Sequence, residues 1–325
     1  MNSITILYRK KQEGRYSIER LFSPIDNLEG VTRVELPYDL TSVLNAFKLL
    51  LFSFKIKSKT IHITGDVNYM AFLFFWKNII ITVHDTYHYE GMKGIKKQIY
   101  GLIWFRVPLL LSNQIVVISP NTKERLINQF KIKSFKIKVI PNSIILKDDN
   151  SNVLRETKEF SILVIGTKQN KNLHRLITAL DNIKNVKVDI IGNVQQSTLS
   201  LLNKYDINFE LNHDISNQEL IEKFKSSNLL YMASIQEGFG LPILEAQEMN
   251  LLVLTSSISP MDYVAGKGAV YVNPFSVDDI RQKILQVKNK EIDIEKILSE
   301  GKENVKRFSL ENFIYSYKEI YSKFK

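Results

Sequence analysis

An α/β fold made of two doubly wound, Rossmann-like domains is what this sequence predicts, and three observations predict it. Short runs rich in Ile, Val and Leu alternate with longer amphipathic stretches from one end of the chain to the other. The runs show little apolar/polar alternation, as expected of parallel strands buried on both faces. A polar segment, Lys147–Glu159 (KDDNSNVLRETKE), breaks the pattern near the middle of 325 residues. That length suits two domains at about 150 residues each.

Taken in order, the first-half strands are expected at Ile4–Tyr8, Val31–Leu36, Thr60–Thr64, Ile79–Val83, Gln114–Ile118 and Ile137–Ile140. The second-half strands are expected at Ser161–Ile165, Val186–Ile191, Ile207–Leu211, Leu229–Met232, Leu251–Thr255 and Ala269–Val272. Helical patterns such as Asn172–Leu180 and Asn217–Lys225 lie between them, giving repeated βα units. The expected domains are residues 1–148, residues 149–308 and a terminal helix over 309–325. Phe313, Tyr317, Ile320 and Phe324 recur at helical spacing in that helix, which is expected to pack back toward the N-terminal domain. Ligands of open parallel sheets bind outside the carboxyl ends of the strands. Two such domains facing each other would enclose a cleft there.

Composition narrows the chemistry. Hydrophobic residues at 44% and charged residues at 24% argue for a globular chain rather than a disordered one. The absence of cysteine excludes a disulfide scaffold, a thiol nucleophile and a thiolate metal site, and suits a reducing cytoplasm. The first residues, MNSITILYRKKQEGR, lack an apolar export core and read as a strand. The charge-free window Val107–Thr122 is interrupted by Pro108, Ser112, Asn113, Gln114, Ser119 and Pro120. It falls short of the ~20 apolar residues that span a bilayer. The expectation is a soluble or surface-bound cytoplasmic protein. Gly238-Phe239-Gly240 and Gly266-Lys267-Gly268 both lack the third glycine of a dinucleotide fingerprint, and no P-loop is present. His62, His88, His174 and His213 show no ligand spacing, and no carboxylate–histidine cluster marks a metal site.

Chemistry concentrates in Ser234–Ala246 (SIQEGFGLPILEA). A strand precedes it, and Pro242 suits the first position of a following helix. Gly238 and Gly240 would let a ligand approach the backbone, and N–H donors at a helix start suit an anion or a ring of hydroxyls. Glu237 falls in the loop and Glu245 in about the first helical turn, eight residues apart. Carboxylates accept paired hydrogen bonds, which suits vicinal hydroxyls of a sugar or ribose. A plain turn followed by a glutamate that complements the helix dipole would use the same residues.

EGFGLPILEA, then LLVLTS and SPMDYVAGKGAVYVNP, resembles the nucleotide-sugar site of retaining GT-B glycosyltransferases, and more narrowly glycosyltransferase family 4, the group 1 enzymes. ILVIGTKQNKNLHRLITAL (162–180) and VVISPNTKERL (116–126) extend the resemblance over most of the second half and the end of the first. It implies a GT-B fold, a nucleotide-sugar donor, a saccharide or lipid-linked saccharide acceptor, retention of configuration, and no metal or other cofactor. Glu245 would hold the donor ribose. Glu237 would face the transferred sugar with the backbone of Gly238, Phe239, Gly240 and Leu241. Lys171, beside the Gly166 turn, would neutralise the diphosphate. The basic residue that many relatives carry near the Lys-Asn pair is missing: Asn170 stands before Lys171, leaving Lys168 as the nearby substitute. Asn250-Leu251-Leu252 replaces the Gly-x-Pro that commonly follows the glutamate motif. His84 and Asp85, after a strand, would meet the sugar and the acceptor. Gly14 and Arg15, with Ser17 as a helix cap, would form an acceptor or phosphate loop.

Glycosidase chemistry needs two flanking carboxylates, whereas both glutamates here fall on one rim. Transfer from an activated donor is therefore favoured. A sugar-nucleotide epimerase or phosphorylase of the same architecture is one alternative; a degenerate sugar-binding subunit is another.

The charge is uneven. Residues 1–150 hold 22 Lys and Arg against 12 Asp and Glu, and the rest of the chain holds 22 against 22. Basic and large apolar residues interleave in Phe47–Lys59 and Met92–Leu111, the second with Lys93, Lys96 and Lys97 beside Ile95, Ile99, Leu102, Trp104 and Phe105. Such stretches can lie on an anionic membrane, or be core helices with solvated lysine rims. No nucleic-acid motif accompanies the charge.

Overall fold

The computed structural model describes residues 4–11, 17–146 and 159–324, the side chain of Ser17 excepted. The chain divides into two compact units, one of Met1–Ser143 with Leu310–Lys325, the other of Ile144–Ser309. Of the expected linker, residues 147–158 lie outside the described residues.

The first unit is built on strands β1 (Ile4–Tyr8), β2 (Val31–Glu35), β3 (Thr60–Ile63), β4 (Asn78–Val83), β5 (Gln114–Val117) and β6 (Ile137–Val139). They form one parallel sheet in the order β2-β1-β3-β4-β5-β6. Helices α1 (Ser17–Asp26), α2 (Val43–Ser53), α3 (Tyr87–Gly91), α4 (Gly94–Tyr100), α5 (Val107–Leu111) and α6 (Pro120–Phe130) connect them. Ile79, Ile80, Ile81, Ile115, Val116 and Val117 are fully buried, on both faces of the sheet, which is why β4 and β5 read as apolar runs without alternation.

The second unit carries β7 (Phe160–Ile165), β8 (Val186–Ile191), β9 (Asn208–Asn212), β10 (Leu229–Met232), β11 (Leu252–Ser256) and β12 (Val270–Val272). Its parallel sheet runs β12-β11-β10-β7-β8-β9. Helices α7 (Leu173–Ala179), α8 (Gln196–Lys204), α9 (Asn217–Ser226), α10 (Leu241–Glu248), α11 (Met261–Ala265), α12 (Val277–Lys288) and α13 (Ile294–Val305) surround it. Strand order reverses between β7 and β10 here, and between β1 and β3 in the first unit. Those are the points where such sheets open a crevice at their carboxyl edge.

The last helix, α14 (Leu310–Ser322), is part of the first unit. Phe313, Tyr317, Ile320 and Tyr321 are buried, and Phe22 packs edge-on against Phe313 and Tyr317. Fully buried His62 is hydrogen-bonded through Nδ1 with the Tyr321 hydroxyl and through Nε2 with Thr82 Oγ1, 2.7 Å each. Loss of water pushes its pKa down to about 3, so the ring is neutral.

Two departures from the sequence reading have local causes. Residues Gly101–Arg106 form a π-helical turn, with the Val107 N–H donating to the Leu102 carbonyl. The wider turn shifts the phase of the side chains. Phe105 turns into the core against Phe130, and Trp104 stacks on Tyr100 at 4.8 Å between ring centres. Neither belongs to an exposed amphipathic face, although Ile95, Ile99 and Leu102 do. In the second unit, α10 starts at Leu241, so Pro242 is its second residue and Glu245 lies in its second turn rather than its first. Asn250 adopts a left-handed conformation (φ 54°), the role a glycine ordinarily fills after a helix end.

Candidate functional site

The carboxyl ends of β7 and β10 bring together much of what the motifs singled out. After β7 the chain turns at Gly166 (φ 89°), and the Gly166 N–H donates to the Ile191 carbonyl at 2.8 Å. A Cβ on Gly166 would stand 3.0 Å from Cε of Lys171, so the absent side chain is the space in which the lysine stem lies. A single turn, Gln169–Lys171, then delivers Lys171 to the far side of the loop. Its Nζ lies 2.7 Å from Oε1 of Glu237, with side-chain exposures of 17% and 13%. Lys168 is exposed beside this turn.

Three residues hold the loops in register, and sequence reasoning undervalued all of them. Asn170 Nδ2 donates to the Gln236 carbonyl at 2.8 Å and to Glu237 Oε1 at 3.3 Å, while its own carbonyl accepts from the Ile235 N–H. Where a basic residue was sought, an amide ties the two loops instead. Asn172 is fully buried in a left-handed conformation (φ 61°); its Nδ2 donates to the carbonyls of Ala233 and Pro274. Arg175 Nη1 donates to Asn172 Oδ1 at 2.8 Å. The legible signal was the pair of asparagines flanking Lys171, because asparagine tolerates left-handed backbone and bonds backbone groups locally.

Beyond Glu237 the loop bends through Gly238, and buried Phe239 packs edge-on against Phe308. Gly240 (φ 111°) caps α10 with a backbone conformation that an L side chain rarely adopts. At the start of α10, Pro242 has no N–H and the Ile243 N–H donates to the Gly240 carbonyl at 3.0 Å, which leaves the Leu241 N–H as the helix-end group at this edge. Glu245 is half-buried on the second turn of α10. The arrangement sets a cation beside a carboxylate at the sheet edge where α10 begins, a set that suits a polyhydroxylated anion.

In the first unit, the carboxyl edge carries His84 and Asp85 after β4. His84 Nε2 is hydrogen-bonded with Thr64 Oγ1 at 2.9 Å. Burial, reinforced by the Arg9 charge, pushes His84 down to about 4, which keeps the imidazole neutral. Asp85 is exposed and accepts from the Tyr87 N–H at 3.0 Å. Both line a recess of about 180 Å³ with Arg9, Asp66, Asn68 and Tyr100. Gly14 and Arg15 lie outside the described residues, as does the side chain of Ser17. Among the described residues, no group of three His, Cys, Asp or Glu side chains is placed to hold a metal ion.

Residues 145–305 match the family described as Glycosyl transferases group 1, and residues 19–148 match Glycosyltransferase Family 4. The chain belongs to the group 1 glycosyltransferases. RfbU of Salmonella typhimurium, described as an O-antigen chain mannosyltransferase, is 28% identical to this chain over 228 residues. That match covers 66% of this chain and 61% of RfbU, less than two thirds of the relative's length. An O-antigen chain mannosyltransferase B of Escherichia coli is 31% identical over 98 residues, covering 30% of this chain and 26% of its own. The fold of this group 1 chain is that of a glycosyltransferase from Rickettsia africae (TM-score 0.77, 18% identity, covering 100% and 99% of the two chains). It is equally that of Anabaena Alr3699/HepE solved with UDP and glucose (TM-score 0.76, 14% identity, covering 99% and 100%). Both support two Rossmann-like units of GT-B type.

Proposed function

We propose that this chain is a retaining glycosyltransferase that moves a hexosyl group from a nucleoside diphosphate donor to a saccharide of a growing surface glycan. Its O-antigen relatives make mannose the favoured sugar. The observation that carries the reading is the Lys171–Glu237 pair, held by Asn170 under the start of α10 at the switch point of the second sheet. Lys171 meets the diphosphate, whose charge grows as the anomeric C–O bond breaks. Lys168 lies near enough in sequence to share that charge. Glu237 binds hydroxyls of the transferred sugar with the backbone of Gly238–Leu241, and Glu245 binds the ribose.

His84 and Asp85 hold the acceptor hydroxyl. That oxygen bonds to the anomeric carbon on the face the diphosphate leaves, and its proton passes to the departing phosphate oxygen. Configuration is thereby retained. Preorganised charge is usually the largest catalytic contribution, and no metal is required when a lysine and helix-end donors supply it. Gly14 and Arg15 remain assigned to the acceptor or phosphate side.

The experiment is a thermal-shift screen of UDP, GDP and their hexose conjugates in the presence of EDTA. A ligand at a hundred times its dissociation constant adds about 2.7 kcal/mol of stability. A shift with one base, turnover of its sugar conjugate in EDTA, and a product anomer matching the donor support the reading. No shift with any of them sinks it.

Peripheral attachment to an anionic membrane is part of the same proposal. Among the described residues no helix is long and apolar enough to cross a membrane. Leu44, Phe47, Leu51 and Phe54 form an exposed apolar stripe along and just beyond α2, and Phe54 stacks on exposed Trp76 at 6.0 Å. Between residues 40 and 84 the only acidic residue is Asp66, against Lys48, Lys55, Lys57, Lys59 and Lys77.

A further inference from the structure

Two recesses adjoin on the carboxyl edge of the first sheet. The first, of about 180 Å³, is walled by His84, Asp85 and Thr86 after β4 and by Asp66 and Asn68 after β3. The second, of about 300 Å³, is walled by Asp39 and Thr41 after β2 and by Tyr69 and Trp104. Arg9, after β1, and Asp66 line both. Because the sheet order is β2-β1-β3-β4, the lining residues follow one another along the edge over three strand spacings, about 14 Å. That exceeds one pyranose ring.

The walls have a definite polarity. Asp39, Asp66 and Asp85 contribute carboxylates, while Arg9 already faces Glu19 through Nε to Oε1 at 3.1 Å and Nη2 to Oε2 at 3.3 Å. Among the described residues, no lysine lines either recess. An anionic sugar would therefore meet like charge on the described walls. Asn68 Oδ1 is buried without a hydrogen-bond partner beside the first recess, an unmet acceptor that an O–H donor would satisfy. Trp104 supplies a rigid apolar surface in the second. Its Nε1 donates to the Asp66 carbonyl at 3.3 Å, Tyr100 stacks on its ring, and Tyr69 packs 5.0 Å from it.

We infer that this edge is an acceptor groove that reads a neutral oligosaccharide over at least two residues. The residue to be extended sits in the His84 recess, and the preceding one sits against Trp104. The inference rests on the glycosyltransferase reading for the word acceptor, but its test does not need turnover.

Neutral manno-, gluco-, galacto- and N-acetylhexosamine oligosaccharides of one to four residues, with uronic-acid counterparts, are titrated against the full chain by saturation-transfer NMR. Neutral binding is expected to strengthen at least tenfold from one residue to two or three, with uronates at least tenfold weaker. Trp104→Ala should abolish the gain with length and leave the monosaccharide signal, while Trp104→Phe, which keeps a ring, should retain it. Asp39→Asn should narrow the gap between neutral and uronate ligands. Equal affinity for one and three residues, preference for uronates, no binding by any sugar, or an unchanged length dependence in Trp104→Ala overturns the groove. A nucleotide thermal shift in the same preparation then shows whether the transferase reading stands without it.

Discussion

At the switch point between β7 and β10, the loops bring one lysine onto one glutamate and lock both with asparagines. At the switch point between β1 and β3, the corresponding loops bring aspartates around an arginine that is already paired with Glu19. The two sheets follow one building rule, yet their edges gather different groups. A leaving diphosphate needs a positive charge waiting for it, and the second unit supplies one. A neutral sugar chain needs hydroxyl acceptors and an apolar ring, and the first unit supplies those. The total charge of a half says little about its binding edge: among the described residues, the recesses of the more basic half carry three aspartates against one arginine.

The comparison breaks most sharply on catalysis. Lys171→Ala should lower kcat by about 10²–10³-fold, the usual cost of one preorganised group at a developing charge. Glu237→Ala should also act on turnover, and Glu245→Ala chiefly on nucleotide affinity. Gly166→Ala tests the support of Lys171. Its left-handed backbone and the 3.0 Å approach to the lysine stem should cost about 1 kcal/mol or more and lower turnover without any polar group having been removed. Asp66→Asn in the first unit should instead raise the acceptor KM and leave nucleotide affinity alone. If Lys171→Ala changes only the acceptor KM, the division between the edges is wrong.

Acid should separate the units next. His62 and His84 are held neutral, at about 3 and about 4, against an ordinary 6.5. Below pH 6.5 the unfolded chain binds protons that the folded unit refuses, so this stability is complete above 6.5 and drains away as pH falls toward the folded values. By pH 5 each histidine has cost about 2 kcal/mol. In the second unit Glu210 is drawn down to about 2 by Lys187 and Lys223, so its contribution is lost only below about 4.5. Both tryptophans, Trp76 and Trp104, belong to the first unit, and their fluorescence reports it alone. Acid titration should move the fluorescence transition at higher pH than the loss of far-ultraviolet helix signal, and His62→Gln should flatten the first limb. Coincident transitions in the native chain would show that the units do not differ this way.

The strands were legible because parallel strands buried on both faces leave Ile/Val/Leu-rich runs; Ile79–Val83 and Ile162–Ile165 can be read off directly, whereas Val186–Ile191 carries Lys187 and Asp189 within it. Lys171, Glu237 and the Gly238–Leu241 turn were legible because they cluster in two short motifs. Trp104 was not. Its phase depends on a π turn that a periodicity of 3.6 does not anticipate, and an aromatic beside Lys96 and Lys97 reads as part of an exposed face until that turn is seen. Asp39, Asp66 and Arg9 were hidden for another reason: they meet only because three separated strands stand side by side. Asn170 was read as a missing base, whereas its amide joins two loops that lie far apart in sequence.

The smallest expected effect concerns the first unit's other surface. Phe54 and Trp76 lie just before β3 and β4, at the amino edge of the sheet, whereas the Asp66 recess lies at the carboxyl edge of the same strands. Lys55, Lys57 and Lys59 are exposed around the aromatic pair, while Lys77 is partly turned inward, donating to the carbonyls of Ile56 and Ser58. An anionic bilayer attracts each surface lysine by about 1 kcal/mol, and the attraction fades within a Debye length. Vesicles of phosphatidylglycerol and phosphatidylethanolamine should therefore bind the chain weakly, less so at high salt. Changing Lys55, Lys57 and Lys59 to Glu should weaken binding through the salt-dependent part. Trp76→Ser should weaken it equally at every salt concentration. Because the recess is at the opposite edge, neither change should alter nucleotide affinity or the affinity for free neutral oligosaccharides. Loss of sugar binding in these variants would mean that the two edges are not independent.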